Sequence, residues 1–542
     1  MDAQEIRDAQ NGMYGGKNKP ITDGKYDQSL AVKCVNGTFV GQKKDNIFSF
    51  KGIPFVGQQP VGNLRWKAPV DVTADNGVYE AYCYGKAPIQ EVGDPAAVYG
   101  TGEDCLYLNI WYADDAAEKK PVMVWIYGGA FDVGGTTDPQ YDCHNFIQEN
   151  PDVIVVTITY RINILGFFHL SHLSDGKDYP DAQNLGLLDQ MMALKWVRQN
   201  IAAFGGDPDN VTIWGESAGG GSCTMLPLIK GSHQYFKRVI SQSGAPAQTR
   251  SKEQAIAVTN KVMEVLGCKT VADLQKVSAE DLMKAWAPRF GLYNVLGVRT
   301  LPERDGIYLP LDPWEAYANG AAKDIVFLQG CNKDEMNTFM AAMDLETWNA
   351  WVKERTAEKM AQLTDKEKAL VESWCNDIKS EGERKGDYSP EMSYEPGAKL
   401  FGQIMFIAPQ IRLSEEQAKA GGKSYTYYYR VESSQPLIKA GHASELSVVF
   451  AHPELTEFTG RVYDEAFCKT VRKMWVQFAK TGNPSLSAAE SPDGKVHEWP
   501  IYDQTDKKVM VLDEKDIHPA KESEQKIVDW ERTYFLTNYY MP

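Results

Sequence analysis

The segment from Val211 to Ser222 constrains the fold of this chain more than any other. Its sequence, VTIWGESAGGGS, places a β-branched strand before a Gly-x-Ser-x-Gly motif and small residues after it. This pattern predicts a nucleophile elbow, a tight strand-to-helix turn that lifts the Ser217 hydroxyl above a sheet. We expect Gly215 and Gly219 to be required there because a side chain would collide with the neighbouring strand or helix. The segment therefore predicts a nucleophilic serine.

The size and composition of the chain allow a large core. Its 542 residues include 13 Trp and 27 Tyr, and no repeat, low-complexity tract or Pro/Ser-rich linker interrupts them. We therefore predict one domain over residues 1–542. The formal net charge of −16 argues against nucleic acid or an anionic membrane surface as the main partner.

Targeting signals and cysteines bear on where the protein works. The first residues, MDAQEIR, lack the apolar segment of a signal peptide. No window approaches the roughly 18 consecutive apolar residues of a membrane span. The nine cysteines are scattered, odd in number and never spaced as C-x-x-C. These features predict mostly reduced thiols, no zinc site and a cytoplasmic protein, with a secreted form whose leader was removed as the alternative.

Hydrophobic periodicity predicts an α/β organisation. Continuous apolar runs are typical of strands buried on both faces of a mostly parallel sheet. Strands are predicted at 121–127, 153–160, 325–328, 425–431 and, as a last edge, 509–512, with an amphipathic helix at 187–200.

The composition and hydrophobic pattern of the chain change at about residues 336–420. Apolar residues recur there at roughly helical spacing among many Lys and Glu; they are Trp348, Trp351, Met360, Leu363, Leu370 and Trp374. We predict a helical, lid-like insertion over the carboxyl edge of the sheet, where α/β active sites lie. The aromatic stripe is interpreted as helix-packing core rather than as a ligand site.

A serine nucleophile needs a general base, which in this fold class follows it in the chain. His442 lies in a small-residue loop, GHASEL, after the predicted strand at 425–431. His452 lies beyond the next apolar run and precedes Pro453, which favours a structural turn. We therefore predict His442 as the base.

The orienting carboxylate is predicted after the strand at 325–328. The sequence GCNKDE follows that strand directly and offers Asp334 and Glu335. Both fit by position, and the residues alone do not choose between them.

An oxyanion hole is predicted after the strand at 121–127. The small residues Gly128, Gly129 and Ala130 allow backbone N–H groups to approach a tetrahedral intermediate. Together with the N–H of Ala218, this arrangement gives up to three donors. Gly128 and Glu216 border the site and are interpreted as supporting residues.

Further motifs along almost the whole chain make it resemble the type-B carboxylesterases, the family of cholinesterases and bile-salt-activated lipase. They are GIPF (52–55), GNLRW (62–66), EDCLYLN (103–109), YR (160–161), GLLDQ (186–190), FGGDP (204–208) and FAKTGNP (478–484).

The resemblance implies roles for the residues left open above. The family acid falls on Glu335, with Met336 in place of the family glycine, and the family base falls on His442. The oxyanion donors fall on Gly129, Ala130 and Ala218. The family usually has a third glycine at Ala130; because the donors are backbone amides, alanine should preserve them and only narrow the pocket.

The resemblance also implies structural pairs. Arg65 with Glu103, and Arg161 with Asp189, correspond to family salt bridges.

The resemblance also bears on disulfide bonds. Cys105 matches a family cysteine that forms a disulfide with a cysteine upstream in the chain. Cys83 is the available partner, although it precedes the expected place. Cys268 matches a cysteine whose family partner is missing here.

The resemblance implies an α/β-hydrolase fold and hydrolysis of carboxylic esters through an acyl-enzyme on Ser217, without metal or cofactor. We expect a neutral short- to medium-chain ester as the small-molecule substrate, and a monomer or homodimer. No tryptophan lies between Cys83 and Cys105 to bind a quaternary ammonium group. The alternatives are a catalytically silent binding or adhesion protein, and a lipase or amidase on the same fold.

Overall fold

The computed structural model describes residues 16–90, 94–115, 119–286, 300–384, 391–435, 437–456 and 459–538. Within them the chain forms two compact units. The first runs to Arg238 and takes in Arg250–Leu311; the second consists of Val239–Thr249 and the chain from Asp312 onward. That the whole chain is one domain stays a prediction.

The first unit contains a mixed sheet and two smaller sheets. Its strands are β1 (Ala31–Cys34), β2 (Asn36–Val40), β3 (Gln42–Lys44), β4 (Ile47–Pro54), β5 (Asp75–Glu80), β6 (Ala87–Pro88), β7 (Thr101–Gly102), β8 (Tyr107–Ala113), β9 (Lys120–Ile126), β10 (Ile154–Ile158) and β11 (Gly206–Glu216). Six of them form the mixed sheet in the order β11-β9-β10-β8-β4-β3, whereas β1, β2 and β5 form a three-stranded sheet and β6 pairs with β7. Strand β9 is parallel to β10 and β11, whereas β8 is antiparallel to β10 and β4.

Burial explains why β9 and β10 form. All five residues of β10 are buried, as are all residues of β9 except Pro121. The strands predicted at 121–127 and 153–160 are confirmed, with slightly different ends. Because β9 and β11 are parallel, with Ile126 opposite Gly215, the segments that follow them leave the sheet at the same edge.

The second unit contains strands β12 (Arg238–Gln242), β13 (Val326–Asn332), β14 (Lys423–Tyr429), β15 (Lys508–Asp513) and β16 (Asp516–Lys521). Their order is β16-β15-β14-β13-β12, with β14 parallel to β13 and β15. The three strands predicted in this region are confirmed within a few residues.

One detail of the prediction is wrong: the strand at 509–512 is not the edge. Strand β16 pairs with β15 in antiparallel fashion on its outer side. Its sequence, DIHPAK, is polar and contains a proline, which is typical of an edge strand but gives no clear strand pattern.

Both units contain α-helices. Those described in the first are α1 (His144–Glu149), α2 (Asn163–Gly166), α3 (Leu185–Asn200), α4 (Ala218–Met225), α5 (Lys252–Leu266), α6 (Val271–Leu274) and α7 (Ala279–Trp286). Those described in the second are α8 (Pro313–Ala318), α9 (Asn337–Ala341), α10 (Leu345–Gln362), α11 (Asp365–Arg384), α12 (Glu391–Gly402), α13 (Ala408–Lys419), α14 (Leu446–Val449), α15 (Glu465–Thr481) and α16 (Glu522–Gln525). The helix predicted at 187–200 is confirmed as α3.

The described part of residues 336–420 consists largely of helices α9 to α13, with a π-helical turn at Gln403–Ile407. The rings of Trp348 and Trp351 stack at 5.3 Å, and Trp351 lies 4.6 Å from the ring of Phe401. These tryptophans therefore pack helices against one another, as predicted. A lid function for the segment stays a prediction.

Both salt bridges implied by the resemblance are confirmed. Arg65 Nε lies 2.5 Å from Glu103 Oε1. Arg161 donates from Nε and Nη2 to the two carboxylate oxygens of Asp189, at 2.8 and 2.7 Å. The second pair is almost completely buried, so removal of one partner would leave an uncompensated charge in the core.

None of the cysteines forms a disulfide. All nine lie within the described residues as thiols, so the pairing of Cys83 with Cys105 is not formed. Burial raises the pKa of the thiols of Cys105, Cys143 and Cys223, which slows their reaction in the native protein.

We expect a thiol reagent to find nine reactive groups in the denatured, unreduced protein, because each cysteine is a thiol in the fold. The native protein should react at fewer sites, since five of the nine thiols are buried. The reduced and denatured protein is the control. If the denatured protein had two fewer reactive thiols before reduction than after it, this expectation would be contradicted.

The residues that the structure describes contain no candidate membrane span and no metal-binding cluster. Within them, no helix is long and apolar enough to cross a bilayer. The same residues contain no group of three or more His, Cys, Asp or Glu side chains arranged to hold a metal ion.

Candidate active site

Ser217 lies at the turn between strand β11 and helix α4. Its backbone has φ 55° and ψ −123°, a strained conformation for a residue with a side chain. A Cβ on Gly215 would lie 2.5 Å from the carbonyl carbon of Gly219, and one on Gly219 would overlap with the carbonyl oxygen of Ile126. The predicted elbow geometry and its need for both glycines are confirmed.

Helix α4 begins directly after the serine. The N–H of Gly221 donates to the carbonyl of Ser217 at 2.8 Å and closes the first turn. The first N–H groups of a helix, here including that of Ala218, have no acceptor within the helix, and the helix dipole makes this end electropositive. Negative charge beside Ser217 would therefore be stabilised.

The loop after β9 packs against the serine. A Cβ on Gly128 would lie 3.0 Å from both Ser217 Cβ and Glu216 Oε2, so only glycine fits without displacing them. Gly129, Ala130 and Phe131 follow with φ of 100°, 57° and 61°. Gly129 and Ala130 are partly exposed, whereas Glu216 is 3% exposed. The geometry thus brings Gly128, next to the oxyanion candidates, against Ser217.

In the second unit, two loops leave the carboxyl ends of the parallel neighbours β13 and β14. The first carries Glu335 and the second His442. His442 Nδ1 lies 2.6 Å from Glu335 Oε2, and the backbone N–H of His442 donates to the carbonyl of Glu335 at 3.1 Å. Both side chains are buried.

Asp334, the alternative acid, has different partners. Its carboxylate accepts from the backbone N–H of Ala440 at 3.4 Å, and its own N–H donates to the Ala440 carbonyl at 2.9 Å. Burial raises the pKa of its carboxyl, although Lys333 offsets part of this effect. Asp334 therefore connects the two loops by hydrogen bonds to the backbone, while Glu335 contacts the imidazole of His442.

One backbone and one side-chain donor hold Glu335, and the sequence did not indicate either of them. Its Oε1 accepts from the N–H of Asn332 at 2.7 Å and from Ser243 Oγ at 2.6 Å. Asn332 lies only three residues before Glu335, whereas Ser243 follows β12 and is 92 positions away, so no local sequence signal links Ser243 to Glu335.

A second buried carboxylate, Glu445, shares this network. It accepts from Asn332 Nδ2 at 2.6 Å and from Gln242 Nε2 at 2.9 Å. Burial raises the pKa of Glu445, and the charge of Glu335 adds to this effect against the opposing hydrogen bonds.

Aromatic rings cover the imidazole. The ring centroid of Phe406 lies 4.4 Å from that of His442, and the centroid of Phe339 lies 5.1 Å away. Phe406 belongs to the π-helical turn, a feature that often marks functional sites. The surroundings of His442 are therefore apolar on the side of these rings.

The first unit contains a Ser–His–Glu arrangement of its own, which the sequence did not indicate. His169 Nδ1 lies 2.7 Å from Glu303 Oε2, and its Nε2 lies 3.1 Å from Ser171 Oγ. Ser171 is exposed and lies in a turn closed by the N–H of Leu173 on the carbonyl of Leu170. It does not precede a helix, so it lacks the electropositive helix end found beside Ser217.

The sequence-predicted residues thus fall into two groups. Ser217, Ala218, Glu216 and the oxyanion candidates lie in the first unit, where the turn and the loop bring them together. Glu335 and His442 lie in the second unit, where they form a hydrogen-bonded pair. Their catalytic roles stay predictions.

A strained serine between a buried parallel strand and a helix, with a glycine loop packed against it, is the architecture of an α/β-hydrolase. Comparisons with known proteins place the chain more narrowly.

The sequence matches the carboxylesterase family over residues 28–529. It is 34% identical over 510 residues to para-nitrobenzyl esterase of Bacillus subtilis (strain 168), covering 91% of this chain and 97% of that protein. It is 33% identical over 513 residues to human bile salt-activated lipase, covering 86% of this chain and 64% of that protein. A solved carboxylesterase structure from Geobacillus stearothermophilus matches with a TM-score of 0.75 and 32% identity, covering 92% of this chain and 99% of that chain.

The chain therefore belongs to the carboxylesterase family. It is a carboxylic-ester hydrolase with the α/β-hydrolase fold. The predicted family, fold class and enzyme class are confirmed.

Proposed function

We propose that Ser217, His442 and Glu335 hydrolyse carboxylic esters as a catalytic triad. The observation that carries this proposal is the strained Ser217 at the elbow. Ser217 Oγ attacks the ester carbonyl carbon while its proton passes to His442 Nε2. The alkoxy C–O bond then breaks, and the alcohol leaves with that proton. Water attacks the acyl-enzyme in the same way and releases the acid.

Glu335 orients the imidazole in this mechanism. Its bond to Nδ1 at 2.6 Å favours the tautomer with the proton on Nδ1, so Nε2 is the nitrogen that takes the serine proton. The carboxylate also stabilises the imidazolium that forms. Because Ser243 and Asn332 hold the other oxygen of Glu335, the carboxylate is fixed before the substrate arrives.

The oxyanion is stabilised by the backbone N–H groups of Gly129, Ala130 and Ala218. The packing of Gly128 on Ser217 and the start of α4 at Ala218 support this assignment. Such donors stabilise the transition state more than the ground state because negative charge develops only during the attack. Glu216 and Gly128 support the site by packing, and no cofactor takes part in these steps.

We propose neutral esters with short or medium acyl chains as substrates. The phenyl rings at His442 offer an apolar environment to an uncharged ester. The segment between Cys83 and Cys105 supplies no tryptophan for a quaternary ammonium group. All proposed catalytic residues belong to one chain, which fits a monomer or a homodimer.

We expect p-nitrophenyl acetate and butyrate to give higher kcat/KM than p-nitrophenyl palmitate, butyrylthiocholine or p-nitroacetanilide. The name of the Bacillus relative makes a p-nitrobenzyl ester a further member of the panel. The Ser217→Ala variant is the blank for spontaneous hydrolysis. Preference for palmitate would indicate a lipase, and preference for the anilide an amidase; either result would contradict the proposed substrate class.

We also propose that the enzyme works in the reducing environment of the cytoplasm. Nine cysteines, all within the described residues and none in a disulfide, support this location. The net charge of −16 gives no reason to expect a nucleic-acid partner.

A further inference from the structure

The proposed oxyanion loop contains a strained reverse turn. Gly129 accepts hydrogen bonds from the N–H groups of Asp132 at 2.9 Å and Val133 at 3.0 Å. The two central residues of the turn, Ala130 and Phe131, both have positive φ, at 57° and 61°. This conformation favours Asn and Gly at these positions, so Ala130 and Phe131 need external contacts to hold it.

Two contacts hold Phe131. Its carbonyl accepts from the N–H of Asn163 at 2.7 Å, and its ring meets that of Phe167 edge-on at 5.2 Å. Both contacts involve the third residue of the turn. Neither of them involves the side chain of Asp132, the last residue of the turn.

Trp286 holds the side chain of Asp132. Its indole Nε1 donates to Asp132 Oδ1 at 3.0 Å, a hydrogen bond between residues 154 positions apart. Asp132 is 4% exposed and Trp286 is 3% exposed, so water competes little for this bond.

Trp286 is itself held by the packing of helix α7. It is the last described residue of that helix and belongs to a buried cluster with Leu282 and Met283 of the same helix. Val258 and Val262 of helix α5 belong to the same cluster. The indole is therefore a fixed donor to which the turn is attached.

We propose that Trp286 and Asp132 are a positioning pair that holds the Ala130 N–H in place for the oxyanion. The pair touches neither the substrate nor the reacting atoms. This inference rests on the proposed function, because it assumes that the loop is the oxyanion hole. Loss of the hydrogen bond would let the strained turn relax and move its N–H groups, and small misplacements of catalytic groups strongly reduce rates.

Trp286→Phe tests the pair because it removes the donor and keeps an aromatic ring. We expect kcat for p-nitrophenyl butyrate to fall by about 10- to 100-fold with KM nearly unchanged, as for an interaction made in the transition state. Trp196→Phe is the matched control. Trp196 is also buried in the first unit, and its Nε1 donates to Asn36 Oδ1 at 2.9 Å, away from the loop.

Variants of the acceptor separate positioning from general damage. Asp132→Asn keeps an acceptor oxygen and should retain most of kcat, whereas Asp132→Leu should lose at least as much kcat as Trp286→Phe. The double variant Trp286→Phe/Asp132→Leu should be no slower than the slower of the two single variants, since both changes remove the same bond. Thermal unfolding of each variant shows whether it is folded at the assay temperature.

Equal losses of kcat in Trp286→Phe and Trp196→Phe, or additive losses in the double variant, would overturn this inference. Retention of wild-type kcat by Trp286→Phe would do the same. Ser217→Ala is measured alongside to separate the two hypotheses. If Ser217→Ala is inactive and Trp286→Phe is unaffected, only the positioning pair fails; if Ser217→Ala is active, the proposed function itself fails.

Discussion

Ser217→Ala is expected to lower kcat/KM for p-nitrophenyl esters by roughly a millionfold, the order of loss when a triad serine is removed. The variant lacks the oxygen that attacks the carbonyl, so no acyl-enzyme forms. Ser171→Ala is the matched control because Ser171 also lies 3.1 Å from a histidine that contacts a glutamate. We expect this control to keep wild-type activity, since Ser171 does not precede a helix.

Covalent labelling provides an independent measurement of the same expectation. A phosphonate or sulfonyl fluoride should inactivate the enzyme and leave its adduct on the peptide that contains Ser217. Labelling of Ser171 with loss of activity, or normal turnover by Ser217→Ala, would contradict the assignment. In that case the arrangement of Ser171, His169 and Glu303 would become the candidate nucleophilic site.

Local sequence signals predicted the elements on which the site is built. The apolar runs of β9 and β10 predict buried strands because both of their faces meet protein. The spacing of Gly215 and Gly219 predicts the elbow because the backbones approach too closely there for a side chain. Strand β16 was missed because edge strands contain polar residues and proline, which resemble a loop.

Most of the hydrogen-bond network around Glu335 could not be predicted from the sequence. Asn332 lies three residues before Glu335, but Ser243 and Glu445 come from separate segments that only the folded second unit brings to these two residues. The left-handed turn at Ala130 and Phe131 was equally hidden because neither residue type favours positive φ. Position in the chain also left Asp334 and Glu335 equivalent, since both directly follow β13.

Glu335→Gln and Asp334→Asn form a matched pair of carboxylate-to-amide changes at adjacent positions. We expect Glu335→Gln to lower kcat by roughly 10⁴-fold, the size of effect produced by a wrong imidazole tautomer. Asp334→Asn should keep most of the activity because Asp334 fastens the backbone at Ala440 and has no bond to the imidazole in the structure. The measurement is kcat on p-nitrophenyl butyrate for both folded variants.

The hydrogen bonds at Glu335 explain why the amide should be so damaging. Oε1 accepts from Asn332 N–H and Ser243 Oγ, so glutamine would place its carbonyl oxygen there. Its NH₂ group would then face Nδ1 of His442 and force the ring proton onto Nε2, the nitrogen that must accept the serine proton. Comparable activity in both variants would contradict an orienting role for Glu335. A large loss confined to Asp334→Asn would instead assign that role to Asp334.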